Sequence, residues 1–482
     1  MLEYLFILPL GMGLITLFLP AVVGRFALVA TGLVHLFLSL GFLLDQGRAL
    51  YPEYFTRAYP GMLMLLLCSF VFACTAPYAA GYMRQKPVKY EPVFSGCMLL
   101  FLGTMSMAAL AEHPIVFWIA IEATTLASAP LIFIHRSKQA LEATWKYVLI
   151  CSVGIALALL GLFFITFSME GAGLDIPLTF TSLNTIAAQL NPLWLKTGFI
   201  FVLIGFGTKM GLAPMHTWLP DAHSEAPSPA SALLSGALLN CAFLGIYKVH
   251  TLMVLAGLGQ FSSNLLIGFG LFSLLVAGVF ILNQPDYKRM LAYSSIENMG
   301  IIAIGTGIGG LGLFGAMLHL IHHSLLKSSL FLSAGTIMRA YGSKLISQCT
   351  NMPRLLPKTF CCYFAGCLGI AGLPPFGLFL SEMLILFAAF QQGLPLIGLL
   401  FAALLILVIA GFIKRVLSMS LGERDNIEGR SRDAARAKER LLQVLPPLVL
   451  LSCSLLLCLW IPEPLRQVIN DSIVLLGGRI YG

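Results

Sequence analysis

Long apolar stretches separated by short polar segments dominate the chain, and this pattern predicts a bundle of membrane-spanning helices. A helix that rises 1.5 Å per residue needs about 20 apolar residues to cross roughly 30 Å of hydrocarbon. Stretches of that kind begin near residues 2, 22, 61, 94, 114, 147, 194, 229, 262, 289, 311, 358, 395 and 441. We therefore predict an all-α polytopic membrane protein of about fourteen transmembrane helices.

Two of the predicted spans, helices 7 and 12, contain a similar interruption, Gly211-Leu-Ala-Pro in one and Gly372-Leu-Pro-Pro in the other. An acid, Asp221 or Glu382, follows each glycine by ten residues. Proline removes a backbone donor and glycine permits unwinding, so both spans are expected to be broken. Paired breaks are typical of transporters built from inverted repeats, here helices 4–8 and 9–13. Two unrelated kinks are the alternative.

No linker or low-complexity tract separates the spans, so residues 1–482 are predicted to form a single integral membrane domain. We assign 2–90 to helices 1–3, 94–255 to the first repeat, 262–416 to the second repeat, and 417–482 to a cytoplasmic loop and helix 14. The longest outer loop, residues 169–195, carries a segment from Ser182 to Leu190 that could form a short surface helix.

Composition and charge agree with a membrane protein and orient it. Hydrophobic residues make up 58% of the chain and charged residues 10%, which excludes a soluble globular domain. Most of the 29 Lys and Arg residues fall in odd-numbered loops. This bias predicts both termini outside, with the basic loops in the cytoplasm. We expect the chain to lie in the inner membrane of a bacterial or archaeal cell. The run from Glu423 to Arg440 mixes both charge signs and lacks aromatic residues, so no nucleic-acid partner is expected.

Ionisable residues inside the predicted spans are the functional candidates, because a charge near the bilayer centre costs about 2.5–3.5 kcal/mol. Lys209 ends an apolar run just before the first break, and Glu122 lies about 13 Å deep in the fifth span. If they face each other, the cost of burial opposes the attraction of opposite charges. Such a pair is poised for proton transfer, although a locked structural ion pair is the alternative.

The eleventh span carries His319, His323 and Lys327 at intervals of four residues, which places them in one helical stripe about 12 Å long. Neutral imidazole both accepts and donates hydrogen bonds, so this stripe could pass protons through water. A zinc site is a competing interpretation, but the histidines lack an acidic general base and further ligands. The eleven scattered cysteines also suggest no metal site or disulfide.

Other polar residues could assist this relay. Glu382 follows the second break among Leu and Phe, where it could end a proton path. Glu297 lies near one end of the tenth span and could be interfacial. His216 and Asp221 could feed protons inward or simply clamp a loop, and His223 and Glu225 belong to the same predicted turn. The accessory candidates are His216, Asp221, Asn240, Lys248, Glu297 and His322.

The stretch from Lys209 to Pro227, Lys-Met-Gly-Leu-Ala-Pro-Met-His-Thr-Trp-Leu-Pro-Asp-Ala-His-Ser-Glu-Ala-Pro, resembles the most diagnostic segment of a known family. That family is the antiporter-like subunits of respiratory complex I, the multisubunit sodium/proton antiporters and the membrane-bound group 4 nickel–iron hydrogenases. The segment from Asp286 to Gly300 is also similar, and the resemblance covers roughly residues 60–415. It implies a fold of fourteen helices with inverted repeats and breaks in helices 7 and 12.

Carried over by position, the resemblance implies that Glu122 pairs with Lys209, that the histidine stripe is the central relay, and that Glu382 is its terminal residue. Asn240 is a departure, because several family members have a lysine there. The link between the two half-channels then requires water or Lys248 as a substitute for that lysine.

The motifs Glu122-Ala-Thr-Thr-Leu and Ser295-Ile-Glu-Asn-Met-Gly look most like hydrogenase-4 component F. The resemblance thus implies a proton-translocating subunit of a hydrogenase-4 or formate hydrogenlyase-like complex, coupled to electron transfer in its partners. Alternatives are the M or N type subunit of NADH-quinone oxidoreductase, the D type subunit of a sodium/proton antiporter, and a nonconducting scaffold.

The chain carries no iron–sulfur ligand set and no nucleotide motif, so we expect it to bind no cofactor and to have no active site of its own. Nickel–iron and iron–sulfur centres are expected in hydrogenase-type peripheral subunits, alongside other membrane subunits and lipid. Protons are the expected ion, and sodium is the alternative. Whether the chain counts as an enzyme depends on that assembly.

Overall fold

The computed structural model describes residues 2–44, 49–85, 90–170, 176–421, 439–474 and 476. Within these ranges the chain is helical, and its β-structure is limited to two isolated bridges. The helices are α1 (Tyr4–Thr16), α2 (Ala21–Leu44), α3 (Tyr59–Gln85), α4 (Glu91–Leu110), α5 (Pro114–Ile132), α6 (Lys138–Glu170), α7 (Phe180–Thr185), α8 (Pro192–Met210), α9 (Trp218–Glu225), α10 (Ser228–Leu233), α11 (Leu239–Leu255), α12 (Gly259–Leu282), α13 (Tyr287–Ile308), α14 (Leu311–Tyr341), α15 (Met352–Leu355), α16 (Pro357–Ile370), α17 (Gly377–Gln391), α18 (Pro395–Leu421), α19 (Leu441–Leu459) and α20 (Glu463–Val474).

Length and hydropathy confirm a polytopic, all-α membrane protein. Ten helical segments in the described ranges are long and apolar enough to span a bilayer, and α1 and α17 are shorter apolar helices. The 22-residue α13 and the 31-residue α14 are long and largely buried, but polar side chains lower their hydropathy. The count of about fourteen spans, the orientation of the termini and the assigned boundaries of the repeats stay predictions.

Both predicted helix breaks are confirmed. The seventh predicted span consists of α8 and α9, which are separated by a turn that begins at Gly211 with φ +86°. The twelfth consists of α16 and α17, separated by a turn that contains Gly372 with φ +67°. Glycine adopts this left-handed conformation without the steric cost that other residues incur. Each glycine therefore lets the chain leave its helix inside the bundle.

The contact between α6 and α8 is close because glycines lie along it. A Cβ atom added to Gly205 would lie 2.5 Å from Ala158 N, and one added to Gly161 would lie 2.8 Å from Gly198 O. Small residues permit such approach between membrane helices. This packing places the end of α8, which carries Lys209, against Tyr147 of α6.

The segment after the first break lies between the two predicted repeats. Helix α9 packs against α6 and α13, and α10 packs against α3 and α14. A π-helical turn, Leu234–Leu238, joins α10 to α11 within a fully buried span. Single π-turns frequently mark functional positions in helices.

Two further predictions concern the loops. The predicted surface helix from Ser182 to Leu190 coincides largely with α7 and a 3-10 turn, Ala187–Gln189. The charged run from Glu423 to Arg440 lies almost entirely outside the described residues. Helix α19, which follows it, packs against α3, α14 and α16.

Candidate functional site

Lys209 lies at the buried end of α8, one residue before the helix stops at the first break. Its side chain has no solvent exposure. The ammonium nitrogen donates hydrogen bonds to Thr125 Oγ1 at 2.7 Å and to Tyr147 OH at 2.8 Å. It also lies 4.7 Å from the centroid of the Tyr147 ring. Two hydroxyl groups and an aromatic face therefore stabilise the buried cation.

Glu122 is half-buried on α5, and its carboxylate accepts hydrogen bonds from Ser152 Oγ at 2.8 Å and Thr125 Oγ1 at 3.4 Å. Within the described part of the chain, it forms no ion pair with Lys209 at 4.0 Å or less. Thr125, three residues after Glu122 on the same helix, comes between the two charges. The predicted pair is therefore joined through a hydroxyl group and is not a contact ion pair.

We call this set the Lys209 cluster, and it comprises Glu122, Thr125, Tyr147, Ser152 and Lys209. Its hydrogen bonds link α5, α6 and α8. A hydroxyl can accept one hydrogen bond while it donates another, so Thr125 connects the two charged groups without fixing their charge states. The sequence argument named the two charges but missed Thr125 and Tyr147.

His223 is buried inside the bundle and does not lie in an exposed turn. Its ring stacks on Phe331 of α14, with centroids 4.7 Å apart, and neither ring nitrogen has a hydrogen-bond partner in the described ranges. Helix α9 is amphipathic, so Leu219 and His223, four residues apart, both face inward. That spacing was the available signal for a buried histidine, and the predicted turn obscured it.

The outer face of α9 forms an electrostatic clamp. Asp221 pairs with Lys146 at 3.0 Å and also with Arg289, while Glu225 pairs with Lys344 at 2.7 Å. The basic partners of these three ion pairs come from other elements of the bundle, namely α6, α13 and the turn after α14. This geometry favours the loop-clamp interpretation of Asp221.

Two other accessory candidates lie away from these contacts. His216 is half-buried between α8 and α9, and its ring lies 6.4 Å from that of Tyr293. Lys248 on α11 donates a hydrogen bond to the carbonyl of Ala111, and its ammonium lies 4.5 Å from the ring centroid of Phe180. Lys248 is thus engaged near the turn between α4 and α5.

Lys327 on α14 is fully buried and donates hydrogen bonds to the carbonyl of Leu291, at 2.6 Å, and to the hydroxyl of Ser294. Both acceptors lie on α13. Nearby along the same helix, Ser295 Oγ is 2.8 Å from Ser235 Oγ of the π-turn. Hydroxyl groups therefore lie where the π-turn approaches α13.

Asn240 lies on α11 against the same face of α14. Its Nδ2 donates hydrogen bonds to Ser324 Oγ at 2.7 Å and to Gly236 O at 3.2 Å, whereas Oδ1 has no partner in the described chain. Lys248 is eight residues further along α11, about 12 Å away by helix rise, and points its ammonium at another element. Lys248 therefore does not take the place of a lysine at position 240.

The predicted histidine stripe faces α13 and α17. His319 Nδ1 is 2.9 Å from Ser381 Oγ, and its Nε2 is 3.0 Å from Asn298 Oδ1. His323 is equally buried, yet neither of its ring nitrogens has a partner within the described ranges. The stripe therefore combines a hydrogen-bonded ring with an unsatisfied one.

His322 points away from this stripe. Its Nδ1 is 3.0 Å from Ser454 Oγ on α19, and its ring lies against Gly377 at the start of α17. A Cβ atom at Gly377 would lie 2.1 Å from that ring, so only glycine leaves room for it. His322 thus connects the second break to α19.

Two buried acids, Glu297 and Glu382, lie in the second predicted repeat. Glu297 is 2% exposed, so it lies inside the bundle and not at its surface, and its Oε2 has no partner in the described residues. Glu382 is also buried, and its carboxylate lies against the backbone of Gly372, where an added Cβ would be 2.1 Å from Oε2. The second break therefore carries an acid directly at its turn.

We call this second set the α13–α14 network, and it comprises Asn240, Glu297, His319, His323, Lys327 and Glu382. Asn240 Oδ1, Glu297 Oε2 and both His323 ring nitrogens in this network, and both ring nitrogens of His223, have no hydrogen-bond partner in the described residues. Buried polar atoms almost always have a hydrogen-bond partner, and ordered water supplies the missing one when protein does not. The arrangement indicates a hydrated interior. No group of three or more His, Cys, Asp or Glu side chains in the described ranges is placed to hold a metal ion.

Comparison with known proteins gives one family. The model of the family described as NADH:quinone oxidoreductase/Mrp antiporter, TM, matches residues 111–408. The chain is 38% identical to the hydrogenase-4 component F homolog of Methylacidiphilum infernorum, over 75% of this chain and 78% of that protein. It is 32% identical to hydrogenase-4 component B of Escherichia coli over 66% of this chain, but it spans only 48% of that longer protein.

A solved structure has the same fold. One chain of the membrane-bound sulfane sulfur reductase, an archaeal respiratory membrane complex, superposes with a TM-score of 0.85 at 19% sequence identity. The match covers 99% of this chain and 98% of that one.

Proposed function

The chain belongs to the NADH:quinone oxidoreductase/Mrp antiporter transmembrane family, and from that premise we propose that it is a proton-translocating subunit of an energy-converting oxidoreductase complex. It is a multi-pass membrane protein related to subunits of multisubunit membrane complexes, so other membrane subunits are its partners. Electron transfer in the partners would drive proton movement through this chain.

The observation that carries the proposal is the set of ionisable side chains buried from Lys209 to Glu382. Lys209, Glu297, Lys327 and Glu382 are each at most 3% exposed, which is expensive unless their charges serve a purpose. They occupy both predicted repeats and flank both helix breaks. Intramembrane charges of this kind mark ion pathways.

The Lys209 cluster acts as the switch. When Glu122 binds a proton, the negative charge that stabilises the Lys209 ammonium is lost, and burial then favours the neutral amine. Lys209 releases its proton to the interior, and transfer of the Glu122 proton to Lys209 then restores the original state, so that one proton enters and one leaves per cycle. The Thr125 hydroxyl transmits this change because it contacts both groups.

The α13–α14 network carries the proton onward. His223 on α9 and His323 on α14 offer unsatisfied ring nitrogens to water, and His319 and Lys327 flank His323 on α14. His319 contacts Ser381, which precedes Glu382 at the second break. Asn240 holds its amide on Ser324 and presents Oδ1 to the interior, where it can orient a water. An ionisable residue at position 240 is then unnecessary.

The relatives favour the hydrogenase branch of this function. We propose that the complex is hydrogenase-4 or formate hydrogenlyase-like, with nickel–iron and iron–sulfur centres in peripheral subunits and none in this chain. We also propose that it lies in the inner membrane of a bacterial or archaeal cell with both termini outside, as the positions of basic residues predict. The proposed ion is the proton.

The test is to purify the tagged complex, identify its subunits by mass spectrometry, and measure proton uptake per electron in vesicles. Hydrogenase-type subunits would support the proposal, whereas small antiporter subunits without a redox partner would replace it with cation/proton exchange. In Lys209→Ala, electron transfer should continue while proton uptake falls to background. Lys196→Ala, on the same helix but outside the cluster, is the matched control and should behave as wild type. Unchanged proton uptake in Lys209→Ala would instead indicate a nonconducting scaffold.

A further inference from the structure

A cavity of about 490 Å³ lies outside the buried proton path, where several helix ends meet. The end of α3, the turn between α9 and α10, the start of α13 and the end of α14 surround it. Its volume is in the range of sites that bind small molecules or headgroups. Its polar lining consists of Tyr82, His135, Ser224, Glu225, Ser228, Lys288, Arg339 and Lys344.

The charges around this cavity do not balance. Of its described lining residues, three are strongly basic, Lys288, Arg339 and Lys344, and one is a carboxylate, Glu225. Glu225 is already paired with Lys344 at 2.7 Å. Asp286 lies beside Lys288, but its carboxylate accepts the backbone N–H groups of residues 288 and 289 and the Ser224 hydroxyl. Lys288 and Arg339 therefore lack an acidic partner among the described residues.

Both uncompensated cations still have hydrogen-bond donors to offer. Lys288 Nζ donates to Ala226 O at 2.6 Å and Ser224 O at 3.3 Å, which uses two of its three N–H groups. Arg339 Nη2 donates to Gln443 Oε1 at 2.7 Å, whereas the buried Nη1 has no partner in the described part of the chain. A further arginine, Arg440, is near enough to repel Arg339.

An anion with several acceptor oxygens would compensate the charges of Lys288 and Arg339 and would also accept hydrogen bonds from their remaining N–H groups. A phosphate group accepts the planar fork of an arginine and the point charge of a lysine at once. Basic pockets between membrane helices on the cytoplasmic side are known to suit anionic headgroups, and the basic loops of this chain are predicted on that side. Water could satisfy Nη1, but it would leave both charges uncompensated.

We propose that this cavity binds a phosphate group between Lys288 and Arg339, supplied either by the headgroup of an anionic phospholipid or by a soluble phosphate compound. The bound group would join the ends of α13 and α14 to the turn between α9 and α10. That turn follows α9, which carries His223, so the ligand would brace the segment behind the first break. The inference does not depend on the proposed function.

The experiment uses the purified, delipidated complex and native mass spectrometry. Dioleoylphosphatidylglycerol, dioleoylphosphatidylcholine and inorganic phosphate are titrated separately as probes. Arg339→Gln should weaken binding of the anionic probe by about tenfold, because a charge-assisted hydrogen bond is lost. Arg354→Gln, which removes an exposed arginine of the same loop region outside the cavity, is the matched control and should change binding by less than about twofold.

Glu225→Gln gives a test of opposite sign. It removes the carboxylate that pairs with Lys344, so anion binding should become tighter, an outcome that misfolding cannot produce. Phosphatidylglycerol bound in preference to phosphatidylcholine, with dependence on Arg339, identifies a lipid ligand. Inorganic phosphate bound with the same dependence, without a lipid preference, identifies a soluble one. The proposal is overturned if no probe depends on Arg339, or if Arg354→Gln weakens binding as much.

Discussion

The Lys209 cluster and the α13–α14 network both bury ionisable side chains, but they satisfy them differently. In the Lys209 cluster, hydrogen bonds of 2.7–3.4 Å join Lys209, Thr125 and Glu122, and the cluster leaves no buried polar side-chain atom without a partner. In the α13–α14 network, Glu297 Oε2 and both nitrogens of His323 have no partner in the described chain. A closed set of hydrogen bonds holds a charge in place, whereas an open set requires water.

This difference suits the Lys209 cluster and the α13–α14 network to separate tasks. A cluster that protein groups satisfy can exist in two charge states without exchanging water, which suits a switch. A network that needs water for completion suits proton transfer along a chain of molecules. Mutations that alter the hydrogen bonds of the Lys209 cluster should therefore differ in effect from mutations that alter the hydration of the α13–α14 network.

Apart from Lys209→Ala, the largest expected effect is at Lys327. Lys327→Met removes the relay group, and we expect proton uptake in vesicles to fall about 100-fold, a typical contribution of a proton-transfer residue. Lys327→Arg keeps the positive charge but cannot release its proton, so it should fail to nearly the same extent. If Lys327→Arg transports normally, the site needs only a fixed charge and the relay assignment is wrong.

The next effect is at Thr125, which joins the two charges of the Lys209 cluster. Thr125→Val removes the hydroxyl at nearly constant volume, and the broken link should lower proton uptake per electron about tenfold. Thr125→Ser should restore it. A comparison of the two variants at equal protein level is the measurement, and equal activity of both would show that Thr125 does not transmit charge.

The two helix breaks give a smaller, paired comparison. The backbone at Gly211 and Gly372 is left-handed, and an alanine placed at either position would have to adopt that conformation, at a cost of about 1–2 kcal/mol. Only at Gly372 would the new Cβ displace a carboxylate, that of Glu382; at Gly211 it meets a flexible Leu219 side chain. Thermal stability should fall similarly in both, while transport should fall further in Gly372→Ala. Equal transport in the two variants would argue against a role for Glu382.

The smallest effect is expected at Asn240. Asn240→Asp keeps the shape of the side chain but removes the amide group that donates to Ser324. We expect proton uptake to change by no more than about threefold, because water, not this side chain, completes the proton path. Loss of transport comparable to that of Lys327→Met would show instead that Asn240 itself joins the half-channels.

Much of the fold was predictable from the sequence because apolar length and Gly-Pro breaks are local properties. The same holds for the buried charges, which stand out against apolar neighbours. Thr125 was not predictable, since a threonine in an apolar helix usually bonds its own backbone and nothing local distinguishes one that bridges two charges. The π-turn has no strong sequence signature either, and it forms where α10 and the turn itself pack against α14.

His223 and Lys248 show the limits of spacing arguments. His223 belongs to a polar, proline-containing segment that predicts a turn, and the packing of α9 into the bundle, with its ring stacked on Phe331 of α14, buries it. Lys248 lies on the same helix as Asn240, but the rise between them places it at the turn after α4. In both cases tertiary packing, which a single helix pattern does not contain, decided the outcome.

The most direct test of the account is to locate water in a high-resolution cryo-electron microscopy map of the purified complex. The account predicts ordered water within hydrogen-bond distance of the His323 ring nitrogens and of Glu297 Oε2, and none between Lys209 Nζ and Thr125 Oγ1. Dry apolar contacts around His323 and Glu297, or a water separating Lys209 from Thr125, would contradict the division between a closed switch and a hydrated relay.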